Sequence, residues 1–65
     1  MKPTLQIYRD SRGEYRWRVT ARNGRILADS SEGYKTKAGV QNGFKATVRL
    51  GDWESIRYYY NIKSV

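Results

Sequence analysis

Glu14-Tyr15-Arg16-Trp17-Arg18-Val19-Thr20-Ala21-Arg22-Asn23-Gly24, residues 14–24, carries the pattern on which the fold turns. Tyr15, Trp17, Val19 and Ala21 share one parity, and Arg16, Arg18 and Thr20 the other. That is the period of a strand with one face buried and one face wet. Asn23-Gly24 follows as a hairpin signal, because both central residues of a type I′ turn take positive φ. The chain therefore returns as a second strand over Arg25 to Asp29, where the Ile26-Leu27 pair leaves the inward parity open. Upstream, Leu5-Gln6-Ile7-Tyr8-Arg9 alternates as well, and the cluster Asp10-Ser11-Arg12-Gly13 joins it to residue 14 by a turn. Residues 5–29 read as three antiparallel strands.

After the polar stretch Ser30 to Gly33 the period changes. Val40, Gly43, Phe44, Thr47 and Val48 fall at i, i+3, i+4, i+7 and i+8, the stripe of a helix from about Thr36 to Leu50. The Thr36 hydroxyl can cap it and Gly51 can stop it. Gly39 and Gly43 each cost about 1 kcal/mol of helix propensity relative to Ala, so packing must hold the helix. Gly43 lies inside the buried stripe, where a close approach to the sheet accounts for it. Beyond Asp52-Trp53-Glu54 the alternation of Ile56, Tyr58, Tyr60 and Ile62 with Arg57, Tyr59, Asn61 and Lys63 predicts a fourth strand over residues 55–63. The order is β-β-β-α-β in one domain spanning residues 1–65. Its class is α+β: an antiparallel sheet with one helix on one face.

The chain has 65 residues, and a domain of that size buries only about 60% of its unfolded surface. It contains no Cys and no His, which removes disulfides, a thiolate nucleophile and the usual zinc ligands. Small domains without such staples rely on an idealised core or a second subunit, so self-association is expected. Thirteen Lys and Arg against six Asp and Glu give a net charge of +7, which attracts polyanions: nucleic acid, anionic lipid or an acidic protein. Mean hydropathy is −0.87, yet aromatics make up 14% of residues, too many for a disordered tail. No apolar run approaches the roughly 18 residues of a membrane span, and Met1 to Asp10 lacks the core of a secretory signal. The expectation is a cytoplasmic protein with no membrane partner.

The series Gly13-Glu14-Tyr15-Arg16-Trp17-Arg18-Val19, Ala21, Asn23-Gly24, Ala28, Ser30-Ser31-Glu32-Gly33-Tyr34-Lys35, Lys37-Ala38, Asn42-Gly43-Phe44 and Val48 resembles the YegP-like domain. This is a short bacterial domain of unknown function that occurs singly or in tandem pairs, and the resemblance covers about residues 4–50. It implies a β(3)-α-β unit that pairs with a second unit and exchanges C-terminal strands in one continuous sheet. For a single unit it implies a homodimer with residues 55–63 exchanged. Trp53 and Tyr58-Tyr59-Tyr60 match no family pattern, so the exchange rests on topology and size. Ile56, Tyr58, Tyr60 and Ile62 share one parity and are the expected core or dimer-interface set. The family supplies no catalytic or ligand residues.

Chemistry is sparse in this sequence. The carboxylates Asp10, Glu14, Asp29, Glu32, Asp52 and Glu54 lie mostly in turns, where capping and solvation explain them. Ser30 and Ser31 have no general base in view, and Glu32-Gly33-Tyr34-Lys35-Thr36-Lys37 lacks the spacing of a phosphate-binding P-loop. No enzyme activity, cofactor, metal or small-molecule substrate is expected. The wet sheet face is richer. Arg16, Arg18 and Thr20 would share it with Gln6 and Tyr8 and with Arg57, Tyr59, Asn61 and Lys63, and Arg22 and Arg25 would lie at one end. Guanidinium groups among tyrosines offer phosphate pairing and base stacking. The expected function is sequence-tolerant binding of DNA or RNA through Arg16, Arg18, Arg25, Arg57, Tyr59 and Lys63, in a non-enzymatic module. An open sheet also places such residues outward for solvation alone, and Lys35, Lys37, Lys45 and Arg49 spread charge to the helix side. The alternative is a protein-interaction module that docks an acidic partner through Trp53 and the sheet edge.

Overall fold

The computed structural model describes residues 2–65. Strands β1 (Thr4–Arg9), β2 (Tyr15–Thr20) and β3 (Ile26–Asp29) form the expected meander, followed by helices α1 (Lys37–Val48) and α2 (Trp53–Tyr59) and a last strand β4 (Asn61–Ser64). The class is α+β, but the sheet is mixed. Its order is β3-β2-β1-β4, with β1 antiparallel to β2 and parallel to β4.

Both hairpins turn by the same device. In each, a type I turn is followed by glycine in the left-handed region: Gly13 at φ 82° and Gly24 at φ 88°. The Gly13 N–H donates to the Asp10 carbonyl and the Gly24 N–H to the Ala21 carbonyl, both at 2.9 Å. Asn23 is not in the positive-φ region, so the expected two-residue type I′ turn is a three-residue loop, Arg22 to Gly24. The Asn23 side chain accepts from the Arg25 N–H at 3.1 Å instead, which stabilises the loop without a left-handed asparagine.

Helix α1 begins as expected, with the Thr36 hydroxyl accepting from the Gly39 N–H at 2.9 Å. It ends earlier than Leu50, because Arg49 itself adopts φ 57° and its N–H closes on the Lys45 carbonyl. Gly43 is explained by a side chain and not by the sheet. A Cβ there would lie 2.6 Å from Tyr34 Cζ, so the tyrosine ring fills the place a methyl group would take.

The predicted strand over residues 55–63 is corrected: residues 53–59 are helical and only 61–64 form a strand. Asp52 caps α2, its carboxylate accepting from the Ser55 N–H at 2.8 Å, and Glu54 sits in the first turn where the helix dipole favours it. Trp53, Ile56 and Tyr60, at i, i+3 and i+7, turn toward the core. The alternation that predicted a strand is thus broken at its first member, since Ile56 is buried from a helix and Tyr58 is exposed. Two helices, not one, cover the sheet. Strand β4 pairs with β1 of its own chain, Leu5 opposite Ile62 and Gln6 opposite Lys63.

The core is Leu5, Ile7, Trp17 and Val19 from the sheet, Val40 and Phe44 from α1, and Ile56 from α2. Phe44 is its centre, edge-on to Trp17 at 5.0 Å and to Tyr60 at 5.4 Å.

Candidate nucleic-acid interface

Because Leu5, Ile7, Trp17 and Val19 all meet the helices, strand parity sends their neighbours to the opposite face, which no helix covers. On that face lie Thr4, Gln6 and Tyr8 of β1, Arg16, Arg18 and Thr20 of β2, and Asn61 and Lys63 of β4. Cross-strand register sets Arg18, Gln6 and Lys63 in one row and Arg16 beside Tyr8. Asp29, opposite Arg18 on β3, adds one negative charge to the row.

The two arginines of β2 differ in their freedom. Arg16 Nε donates to Asp10 Oδ2 at 2.7 Å, and Nη1 reaches the Ser30 carbonyl at 3.4 Å. This hydrogen bond is the main reason the Asp10 carboxyl lies below its ordinary pKa of 3.8, with the Glu14 and Arg12 N–H groups adding to it. The same bond raises the Arg16 guanidinium above its usual range. Arg18 has no carboxylate partner. Its Nη2 donates to Gln6 Oε1 at 2.9 Å and its guanidinium lies 4.7 Å above the centre of the Tyr8 ring. It therefore presents a cation backed by an aromatic plane.

The Asp10 contact has a pH signature. A carboxyl whose pKa is depressed by folding stabilises the fold above its unfolded pKa, and the contribution is lost as the pH falls through the folded value. Asp10→Asn should lower the urea midpoint at pH 7 and at pH 5 by the same amount. Below pH 3.8 that gap should close as the wild-type carboxyl takes up its proton. A gap that persists at pH 2.5 would show that the loss comes from loop geometry and not from charge.

The expected binding set divides. Arg16, Arg18 and Lys63 share the uncovered face, and Arg25 is exposed in the β2–β3 turn. Arg57 and Tyr59 do not join them, because strand parity does not apply to a helix. Arg57 borders a groove with Lys2, Tyr60, Asn61, Ile62 and Ser64, beside β4. Tyr59 lines a second, apolar groove with Pro3, Val48, Leu50 and Tyr60. Of the expected interface set, Ile56 is fully buried, Tyr60 and Ile62 pack against the core of their own chain, and Tyr58 is exposed. Trp53 also packs against that core. Sequence reading missed the Asp10–Arg16 pair and the place of Lys2. The first was legible in the register, since Arg16 lies across from Tyr8, two residues before Asp10.

Among the described residues no group of three or more His, Cys, Asp or Glu could hold a metal ion. Among the same described residues no helix is long and apolar enough to cross a membrane.

A family model described as a domain of unknown function, DUF1508, matches residues 10–46. The chain belongs to the DUF1508 family. Its relatives include a UPF0339 protein encoded in the 5′ region of the ptx operon of Stutzerimonas stutzeri, 46% identical over 71% of this chain and 40% of that protein. A UPF0339 protein of Neisseria meningitidis serogroup B is 49% identical over 58% of this chain and 66% of its own length. The chain thus spans less than two thirds of either relative. An NMR solution structure of a protein from Haloferax volcanii superposes with a TM-score of 0.71 at 40% identity, covering 74% of this chain and 80% of that one.

The DUF1508 segment holds β2, β3 and most of α1, and its motif residues hold the fold together. The Ser30 N–H donates to the Trp17 carbonyl at 2.9 Å while Ser30 Oγ accepts from the Trp17 N–H at 3.1 Å, so a side chain completes the ladder where β3 ends. Four residues on, Tyr34 and Tyr15 exchange both backbone hydrogen bonds. Between these pins, Gly33 admits the Glu14 side chain, and Tyr34 lies across Gly43. The segment from Ser30 to Tyr34 is a clasp between β2 and α1.

Proposed function

We propose that the chain is a non-enzymatic module that binds nucleic acid, with little regard to sequence, on its uncovered sheet face. The observation that carries this reading is the Arg18–Tyr8 pair in one row with Gln6 and Lys63, on a face that neither helix covers. Two cations free of carboxylate partners, Arg18 and Lys63, meet phosphate, and the Tyr8 ring beneath the Arg18 guanidinium holds that cation in place. Arg16 takes a lesser part, since Asp10 already holds its charge.

Fluorescence anisotropy with a single-stranded oligothymidine of about ten nucleotides tests it. If Arg18 and Lys63 each neutralise one phosphate, log affinity falls against log salt with a slope of about −1.4, so a tenfold rise in salt weakens binding about 25-fold. The Arg18→Ala/Lys63→Ala variant should flatten the slope by about that 1.4 while keeping its circular dichroism. No binding at low salt, or equal binding by the double variant, would overturn the reading.

The homodimer belongs to the same proposal in a revised form. With β4 seated on its own β1, the β3 edge at the other end of the sheet stays free, and pairing there would double the basic face. Light scattering at micromolar concentration decides it, a monomeric mass leaving a single face. The second reading, an acidic protein docked at the sheet edge, is favoured by Ile26 and Leu27 on β3, 56% and 61% exposed. Trp53, its other expected contact, is half-buried against the core. A stoichiometric protein partner retained through nuclease treatment would favour it over the first.

A further inference from the structure

Strand β4 is a sheet edge, so what lies on its two sides is separated by a single strand. Lys63 stands on the uncovered face. On the helix side, Ile62 and Ser64 border the groove that holds Lys2 and Arg57. Lys2 runs along the start of the strand: its carbonyl accepts from Asn61 Nδ2 at 3.4 Å and its ammonium donates to the Arg57 carbonyl at 3.2 Å. Lys63, Lys2 and Arg57 thus form a basic band that wraps the edge.

The band leads to the apolar groove. Tyr60 borders both grooves, and the second, about 360 Å³, is walled by Pro3, Val48, Leu50 and Tyr59. Tyr60 stands edge-on to Phe44 at 5.4 Å, and Tyr59, 54% exposed, stands edge-on to Tyr58 at 4.9 Å. Beside the groove, between Val48 and Leu50, Arg49 is exposed. An apolar slot with aromatic walls and a cationic rim fits a flat heteroaromatic ring carried on an anionic backbone.

We propose that this groove takes an unpaired base of a single strand whose backbone crosses from the sheet face over the β4 edge along Lys63, Lys2 and Arg57. The inference rests on the nucleic-acid reading of the sheet face and adds to it a preference for single strands over duplex. A duplex keeps its bases stacked inside and can use the phosphate contacts alone.

The test compares three probes by anisotropy: single-stranded oligothymidine, the same phosphate chain with abasic sites, and a duplex of equal length. The wild-type protein should bind the first about 5- to 160-fold more tightly than the abasic chain, the span of one stacked base. Tyr59→Ala should lose that preference with its duplex binding and salt slope unchanged, and Tyr59→Phe, which keeps the ring, should retain it. Circular dichroism confirms that the variants fold. Equal binding of the oligothymidine and abasic chains by the wild type would overturn the inference and leave the sheet-face reading standing. So would a base preference that Tyr59→Ala leaves intact. Binding of no probe at low salt would overturn both.

Discussion

Phe44→Ala should remove about 3–5 kcal/mol of stability, a large share of what the fold has. Phe44 has no exposed surface and is the one side chain that touches Trp17 from the sheet and Tyr60 from the end of α2 with its ring edges. Truncating a buried phenylalanine costs about 3–5 kcal/mol through lost transfer free energy and the cavity left behind. A domain of this length has about 3–10 kcal/mol of total stability. The loss is therefore at least about a third of what the chain has and, at the low end of that range, all of it. Urea and thermal melts followed by circular dichroism read it directly. Phe44→Leu, which refills part of the cavity, should recover part of the loss. A Phe44→Ala melt within 1 kcal/mol of wild type would mean that the core is organised around another residue.

Ile56→Ala carries the second large effect and discriminates between two architectures. Ile56 is the buried residue of α2, with no exposed surface, and it fixes the helix that delivers β4 to β1. Its truncation should cost about 2–5 kcal/mol. In the fold described above the loss is intramolecular, so the shift in urea midpoint should be the same at low and high protein concentration. Were Ile56 part of a strand exchanged between two copies, the midpoint would move with concentration by mass action. Because edge pairing of two folded copies would also move the midpoint, the result that would refute the single-chain placement of α2 is the absence of any folded monomer by light scattering at low concentration.

The outcome at residues 53–62 shows how far periodicity reaches. Ile56, Tyr58, Tyr60 and Ile62 alternate, and tyrosine and isoleucine favour strands, so the period-2 pattern was the more visible. The same residues contain Trp53, Ile56 and Tyr60 at helical spacing behind Asp52, a capping residue with Ser55 three positions on. The cap breaks the tie, because a helix start leaves N–H groups without partners and the Asp52 carboxylate takes that of Ser55. In Glu14 to Ala21 no such competition exists, and parity placed Trp17 and Val19 in the core and Arg16 and Arg18 outside it. The site inherits this division. Arg16, Arg18 and Lys63 were legible as one face because each is in a strand, whereas Arg57 and Tyr59 moved with α2. The Asn23-Gly24 turn shows a finer limit: the dipeptide marked the hairpin, and the asparagine side chain, by bonding to Arg25, settled the loop length.

The parallel pairing of β1 with β4 also has a consequence for the order of assembly. The two hairpins and the clasp at Ser30 and Tyr34 join neighbours along the chain, whereas Asn61 meets Lys2 across 59 positions. Contacts of such separation close the largest loop and form late. Until then β1, at the middle of the finished sheet, has a partner on one side only, and Leu5 and Ile7 lie beside a bare ladder edge. The cap at Asp52 shortens that interval. A helix that starts from its own local signal brings Asn61 to the end of an ordered segment, so the last strand arrives with less of its search still to do.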